Sequence, residues 1–169
     1  MNRVMIVGQP GSGKSTLARA LGARVGLPVV HMDQIHWKPG WVERPLEAKI
    51  PMAHAVEAGP QWIFEGGLSA TFENRLVRAD TLIVLDLPLW RRAWRVFRRT
   101  LRDYGKTRPD LPADCPERFD TEFWRFIWRT RRSGRARVLG LADQAHNGVA
   151  VHILRAPREV RRFLRDLGA

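Results

Sequence analysis

The sequence predicts an α/β domain in which a mainly parallel sheet of five strands carries helices on both faces. Two observations predict it. Short, β-branched apolar runs alternate with segments of helical apolar spacing along the 169 residues, and the first run leads through a glycine-rich turn directly into the first helix. Strands joined through helices need right-handed crossovers, which lay successive helices over both faces of a parallel sheet.

Residues 3–7 (Arg-Val-Met-Ile-Val) are short and apolar, as a strand buried on both faces should be, and Gly8 ends them. The next segment, residues 14–25, repeats Leu17, Leu21 and Val25 at helical spacing, and Gly26 with Pro28 closes it. A second buried run covers residues 28–32, followed by the aromatic loop Trp37-Lys-Pro-Gly-Trp41. Pro45 opens a helix reaching Ala58, in which Pro51 must produce a kink or a restart. Residues 61–64 form a third strand, Glu65-Gly66-Gly67 breaks the chain, and Ser69 or Thr71 caps a helix running to Ala79. Residues 81–85 and 149–154 supply the fourth and fifth strands; Pro157 then opens an amphipathic helix through Val160, Phe163, Leu164 and Leu167. Between those two strands come a long arginine-rich helix, a Pro- and Asp-rich loop over 105–118, and an aromatic-rich helix after Asp120. We read 91–135 as an insertion over the sheet, with 1–90 and 136–169 as the core of one domain.

Composition narrows the function. No apolar run approaches the length needed to cross a bilayer, and the N-terminal run enters a glycine motif, which a cleaved signal peptide would not do. A cytoplasmic protein with no membrane partner is expected. Cys115 is the only cysteine, which rules out an intrachain disulfide and leaves a zinc site to His and carboxylates. Twenty-nine Lys and Arg against 17 Asp and Glu give a net charge of +12. That charge suits a polyanion such as nucleotide phosphates, nucleic acid or an acidic surface, although arginine in an Ala-, Pro- and Gly-rich sequence also follows from base composition.

Gly8-Gln-Pro-Gly11-Ser12-Gly13-Lys14-Ser15 matches G-x-x-x-x-G-K-[ST] and sits after a buried strand at the start of a helix, where a phosphate-binding P-loop belongs. Its glycines let successive N–H groups, roughly those from Gly11 to Thr16, turn toward a β-phosphate beside the positive helix end. Lys14 is expected at the β- and γ-phosphates and Ser15 on Mg²⁺. ATP and Mg²⁺ are therefore the expected cofactors. The chain lacks the Asn-Lys-x-Asp and Asp-x-x-Gly segments of a GTPase, and its fourth strand ends Leu85-Asp86-Leu87 rather than Asp-Glu as in a motor ATPase. A kinase instead needs an acceptor pocket and a mobile cationic cover, which the insertion supplies.

Arg91, Arg95, Arg98 and Arg102 fall on one face of the arginine-rich helix, with Trp90, Trp94, Phe97 and Leu101 on the adjoining apolar face. Most of these arginines read as a solvated face, with one or two meeting phosphate. Arg108, Arg118, Arg131 and Arg132 flank the Pro-rich loop, and a guanidinium fork suits a phosphoryl group. Arg95 and Arg131 are the catalytic candidates among them.

The P-loop, the His31-Met-Asp33 strand end, Trp37-Lys-Pro-Gly-Trp41, Thr107-Arg-Pro-Asp110 and Cys115-Pro-Glu-Arg-Phe119 together resemble the small adenylate-kinase-like DNA topology modulation proteins, over nearly the whole chain. The resemblance implies the nucleoside-monophosphate-kinase fold: a three-layer sandwich with strand order 2-3-1-4-5, an acceptor-binding helical region after strand two and an arginine-bearing lid. Where that family is expected to carry Asp-Gly-Asn after strand three, this chain has Glu65-Gly66-Gly67, which keeps a carboxylate but moves it.

Asp33 ends strand two, on the sheet edge where open α/β folds bind ligands. By similarity to small kinases such as shikimate kinase it orients a Mg²⁺-bound water or accepts the proton of an acceptor hydroxyl; the competing reading is a turn cap. Glu65, with Gly66 and Gly67 admitting the acceptor close to the backbone, is a substrate-contact candidate. Trp37 and Trp41 stack on an acceptor ring or belong to the core, and Lys38 pairs with an acidic substituent. Asp86 either takes a Mg²⁺-binding position or caps the next helix. His31, His36 and His54 read as ordinary polar positions. The loop Arg155-Ala-Pro157-Arg158 resembles the segment bordering adenine in related kinases. The leading reading is a Mg²⁺- and ATP-dependent kinase acting on a nucleotide or small hydroxy compound. The alternatives are a nucleic-acid-associated protein with a regulatory ATP site and a polynucleotide 5′-end kinase.

Overall fold

The computed structural model describes residues 1–167. Five strands form the central parallel sheet: β1 (Arg3–Gly8), β2 (Val29–His31), β5 (Trp62–Glu65), β6 (Thr81–Leu85) and β7 (Ala150–Leu154). They lie in the order β2-β5-β1-β6-β7, which is 2-3-1-4-5 in chain order, as expected. Register pairs Ile6 with Glu65 and Ile83, and His31 with Glu65.

Alternation along the strands divides the core. Val4, Ile6, Ile63, Ile83 and Leu85 point to the face covered by α1 (Lys14–Val25) and α8 (Pro157–Asp166). Met5, Val7, Phe64, Leu82 and Val84 point to the other face, covered by α2 (Met32–His36), α3 (Leu46–Glu57), α4 (Phe72–Arg78) and α7 (Ser133–Gln144). Each fully buried aliphatic side chain here contributes about 1.5–3 kcal/mol of transfer free energy. Among the described residues no helix is long and apolar enough to cross a membrane.

Several local expectations are revised. The aromatic loop after α2 is a short antiparallel hairpin, β3 (Trp37–Lys38) with β4 (Val42–Glu43); its turn uses positive φ at Gly40 (77°) and Trp41 (60°). Helix α3 neither ends nor restarts at Pro51, because the one carbonyl deprived of its donor belongs to exposed Glu47. Thr71 stands at the start of α4 without capping it; its hydroxyl bonds Leu68 O, and Arg75 donates to it. Helix α7 was not anticipated.

The arginine-rich helix α5 (Leu89–Arg102) is oriented differently from its amphipathic pattern. It turns Arg92, Val96 and Thr100 inward, while Trp90, Trp94, Phe97 and Leu101 face solvent. The inward face is taken by a guanidinium because carbonyls of the P-loop region meet it there. After α5 an irregular loop leads to α6 (Thr121–Arg129), capped by Asp120, whose carboxylate accepts from the N–H groups of Glu122 and Phe123 at 2.8 and 3.1 Å.

Candidate active site

The P-loop lies at the carboxyl edge of β1, at the centre of the sheet. Gly13 adopts φ 97° at the start of α1, and Gly11 has φ 77°. A Cβ on Gly11 would stand 2.4 Å from the carbonyl oxygen of Arg92, so only glycine fits beneath α5. Arg92 donates from Nη1 to Pro10 O at 3.2 Å and from Nε to Leu87 O at 3.1 Å, and Arg95 Nη1 donates to Ser12 O at 2.9 Å. Burial lowers the pKa of both guanidinium groups, and both are tied to backbone carbonyls. The buried Ser12 hydroxyl has no hydrogen-bond partner. Ser15 is half-buried and Thr16 exposed on the first turn of α1.

Asp33 stands on α2, beyond the end of β2, and is half-buried. Burial, then the neighbouring Glu65 carboxylate, raises its pKa; Lys14 and Arg108 pull it down, and Asp110 adds to the rise. Lys14, Glu65, Arg108 and Asp110 thus stand near enough to Asp33 to act on its charge. Glu65 is 2% exposed and its Oε1 lies 2.7 Å from His31 Nδ1. His31 is therefore a buried partner of the cleft's acid, not an ordinary polar position. Histidine before the acid of strand two was the available signal, but the pairing depends on parallel register between distant strands.

The space at Gly66 is not open to a ligand. With φ 108°, its Cβ would lie 2.6 Å from Met32 Cβ, so α2 fills the approach; Gly67 is less constrained, with Phe72 Cζ at 3.8 Å. Gly66 O instead accepts from Arg75 Nη1 at 3.0 Å. Arg75 is wholly buried beneath the cleft, paired with Glu57 at 3.3 Å and lying 3.8 Å over the Phe64 ring. Burial lowers its pKa to about 10.

The loop after α5 meets α2 and the β3–β4 hairpin. Trp41 Nε1 donates to Pro116 O at 3.0 Å, Gly40 N to Asp114 O at 3.0 Å, and Gln34 Nε2 to Pro109 O at 3.2 Å. Buried Cys115 accepts from Trp41 N at 3.4 Å. Trp37 and Trp41 form an edge-to-face pair, centroids 5.3 Å apart. Asp110 pairs with Arg108 at 2.6 Å and with Arg19 of α1 at 3.4 Å, and Glu117 pairs with Arg99 and Arg108. Arg118 is exposed away from these pairs.

A second opening, a cavity of about 420 Å³, lies on the β6–β7 side of the P-loop. Its lining includes Asp86, Arg92, Arg131, Arg135 and Arg155. Arg135 binds both oxygens of Asp86 at 2.7 and 2.8 Å, and these bonds hold the Asp86 carboxyl below the ordinary range. Asp86 thus neither caps α5, whose cap residue is Pro88, nor stands free as a metal ligand. Arg131 lies on this cavity, with its guanidinium 4.1 Å over the Trp128 ring. Arg155 lines the cavity, whereas Pro157 and Arg158 open α8 beside it.

A parallel sheet in this order, with a P-loop at its centre and helices on both faces, is the fold of the small P-loop kinases. Shikimate kinase from Bacteroides thetaiotaomicron is similar with a TM-score of 0.57 at 17% identity, over 98% of this chain and 96% of that one. Shikimate kinase from Acinetobacter baumannii in complex with shikimate gives 0.53 at 15%, over 99% and 90%. Deoxyadenosine kinase from M. mycoides with bound dATP gives 0.53 at 13%, over 100% of each chain. No protein-family model matches the chain, and no curated protein matches it.

Proposed function

We propose that this protein is an ATP-dependent kinase that transfers the γ-phosphoryl group to a hydroxyl of a small acceptor bound between Asp33, Glu65 and the Trp37–Trp41 hairpin. The observation that carries this reading is the glycine loop between central strand β1 and α1, whose Lys14 stands near enough to Asp33, just beyond β2, to act on its charge. Backbone N–H groups from Gly11 to Thr16 and the Lys14 ammonium bind the phosphates. The acceptor oxygen attacks the γ-phosphorus, ADP leaves, and Asp33 takes the hydroxyl proton. Arg95 and Arg108 neutralise charge on the transferring group. The cavity with Arg131 and Arg155 takes the base, and residues 103–120 form the part of the insertion that covers the acceptor.

Magnesium fits the donor set. Ser15 offers an oxygen ligand that a hard cation takes and Asp33 a carboxylate for a water on the ion, and the neighbouring carboxylates of Glu65 and Asp110 make added positive charge favourable there. Bound there with the nucleotide, magnesium would supply charge neutralisation for the phosphates. Kinship with the adenylate-kinase-like DNA topology modulation proteins is supported by convergence. Of the segments carrying that resemblance, the Trp37–Trp41 turn bonds to Cys115 and Pro116, and Thr107–Asp110 joins Cys115–Phe119 through Thr107 with Pro116 and Arg108 with Glu117.

The test is transfer of labelled γ-phosphate from Mg-ATP across nucleosides, nucleoside monophosphates, sugars, small hydroxy acids and nucleic-acid 5′ ends, with an acceptor-free control. Transfer to one class supports the reading and names the acceptor; hydrolysis without transfer overturns it.

A further inference from the structure

Helix α5 presents its apolar stripe to solvent directly opposite its buried face. Trp90 is 65% exposed, Trp94 55% and Leu101 65%, with Phe97 between them. Their spacing of four, three and four residues keeps them on one line of the helix. The patch continues onto α6 through Trp128, which is 60% exposed. A groove of about 340 Å³ between the two helices is lined by Leu89, Trp90, Ala93, Trp124, Ile127 and Trp128 alone. Contiguous exposed apolar surface of this kind marks an interaction site.

Charge selects the occupant. Arg91, Arg98 and Arg102 flank the stripe on α5, a helix with no acidic residue, and Arg125 and Arg129 flank it on α6, where Glu122 is the one acid. Asp103, paired with Arg102, follows α5. In a chain of net charge +12, a second copy would set these arginines against their own kind, so the face is not built for self-association. Single-stranded nucleic acid would meet the charge but needs open ring faces. Several are covered: Arg91 lies 4.9 Å over Trp90, Arg131 4.1 Å over Trp128, and Trp94 stacks on Phe97 with centroids 5.8 Å apart. Leu89, Leu101 and Ile127 offer no ring at all.

We propose that the α5–α6 face docks on an anionic lipid surface, with Trp90, Trp94, Phe97, Leu101 and Trp128 entering the acyl boundary and the flanking arginines meeting the headgroups. The combination of an exposed Trp, Phe and Leu stripe with arginine flanks is that of an interfacial amphipathic helix. No membrane partner follows from the sequence, since helical spacing alone does not say which face of α5 turns inward.

The test is co-sedimentation of the full chain with vesicles of phosphatidylglycerol and phosphatidylcholine, against phosphatidylcholine alone, with tryptophan emission as a second readout. Binding only to the anionic vesicles, weakened by salt, with a blue shift, is the expected result. The double substitution Trp94→Ser and Leu101→Ser, both outside the core, should weaken binding by roughly tenfold or more, with an unchanged circular dichroism spectrum. Absence of binding to anionic vesicles, or equal binding by the double variant, overturns the proposal. So does a concentration-dependent dimer, or oligonucleotide binding without vesicle binding, abolished by the same substitutions.

Discussion

His31 Nδ1 and Glu65 Oε1, 2.7 Å apart and both buried, tie the carboxyl ends of β2 and β5 together at the edge of the cleft. Register makes them neighbours, one on each strand. Glu65→Ala leaves the imidazole buried without its acceptor, and the expected cost is about 1–3 kcal/mol, measured by urea unfolding. Glu65→Gln keeps an acceptor oxygen and should recover part of that loss. Equal stability of all three proteins would show that the pair is not structural.

Lys14 opens the first turn of α1, directly after the glycine loop, and its charge acts on Asp33. Lys14→Ala should abolish phosphoryl transfer while leaving the melting curve of the nucleotide-free protein nearly unchanged. Wild-type turnover in that variant is incompatible with the proposed site.

Asp33 should oppose stability and support activity. Its folded-state pKa is raised by burial and by Glu65, so the folded protein holds this proton more tightly than the unfolded chain. Stability linked to Asp33 is then fully present below the ordinary carboxylate range and is lost as pH rises through the raised value. Asp33→Asn should therefore be more stable than the wild type at neutral pH and lose that advantage in acid, while its turnover falls more than its ATP affinity. Paired denaturation and kinetic profiles against pH test both signs.

Arg75 and Glu57 form a wholly buried ion pair under the acceptor side of the cleft. Arg75→Met leaves Glu57 with a buried charge and Gly66 O and Thr71 without their donor. The expected cost is about 3–5 kcal/mol. A double variant, Arg75→Met with Glu57→Leu, should recover much of it. Failure of the second change to help would place the main loss at Gly66 and Thr71.

The sheet was legible because its strands are short apolar runs that periodicity and turn residues delimit, and the P-loop because strand, glycines, Lys14 and helix follow one another in sequence. Asp33 and Glu65 were legible from their places at strand ends. The partners of these acids were not: His31 comes from β2 while Arg108 and Asp110 come from the loop after α5, and no local pattern encodes such pairing. Asp86 was misread because Arg135 approaches it across 49 residues. In α5 the period was legible and the orientation was not, since Arg92 gains backbone carbonyls on the inner face that an apolar side chain could not satisfy.

The contact of Gly11 with the Arg92 carbonyl has a mechanical consequence. With Arg92 bonded to Pro10 and Arg95 to Ser12, the first two turns of α5 and the P-loop are bolted into one rigid part. Beyond Arg102, where the chain turns through Gly105 at φ 74°, the attachment changes: the following stretch is held instead by α1 and the hairpin, through Asp110 on Arg19 and Trp41 on Pro116.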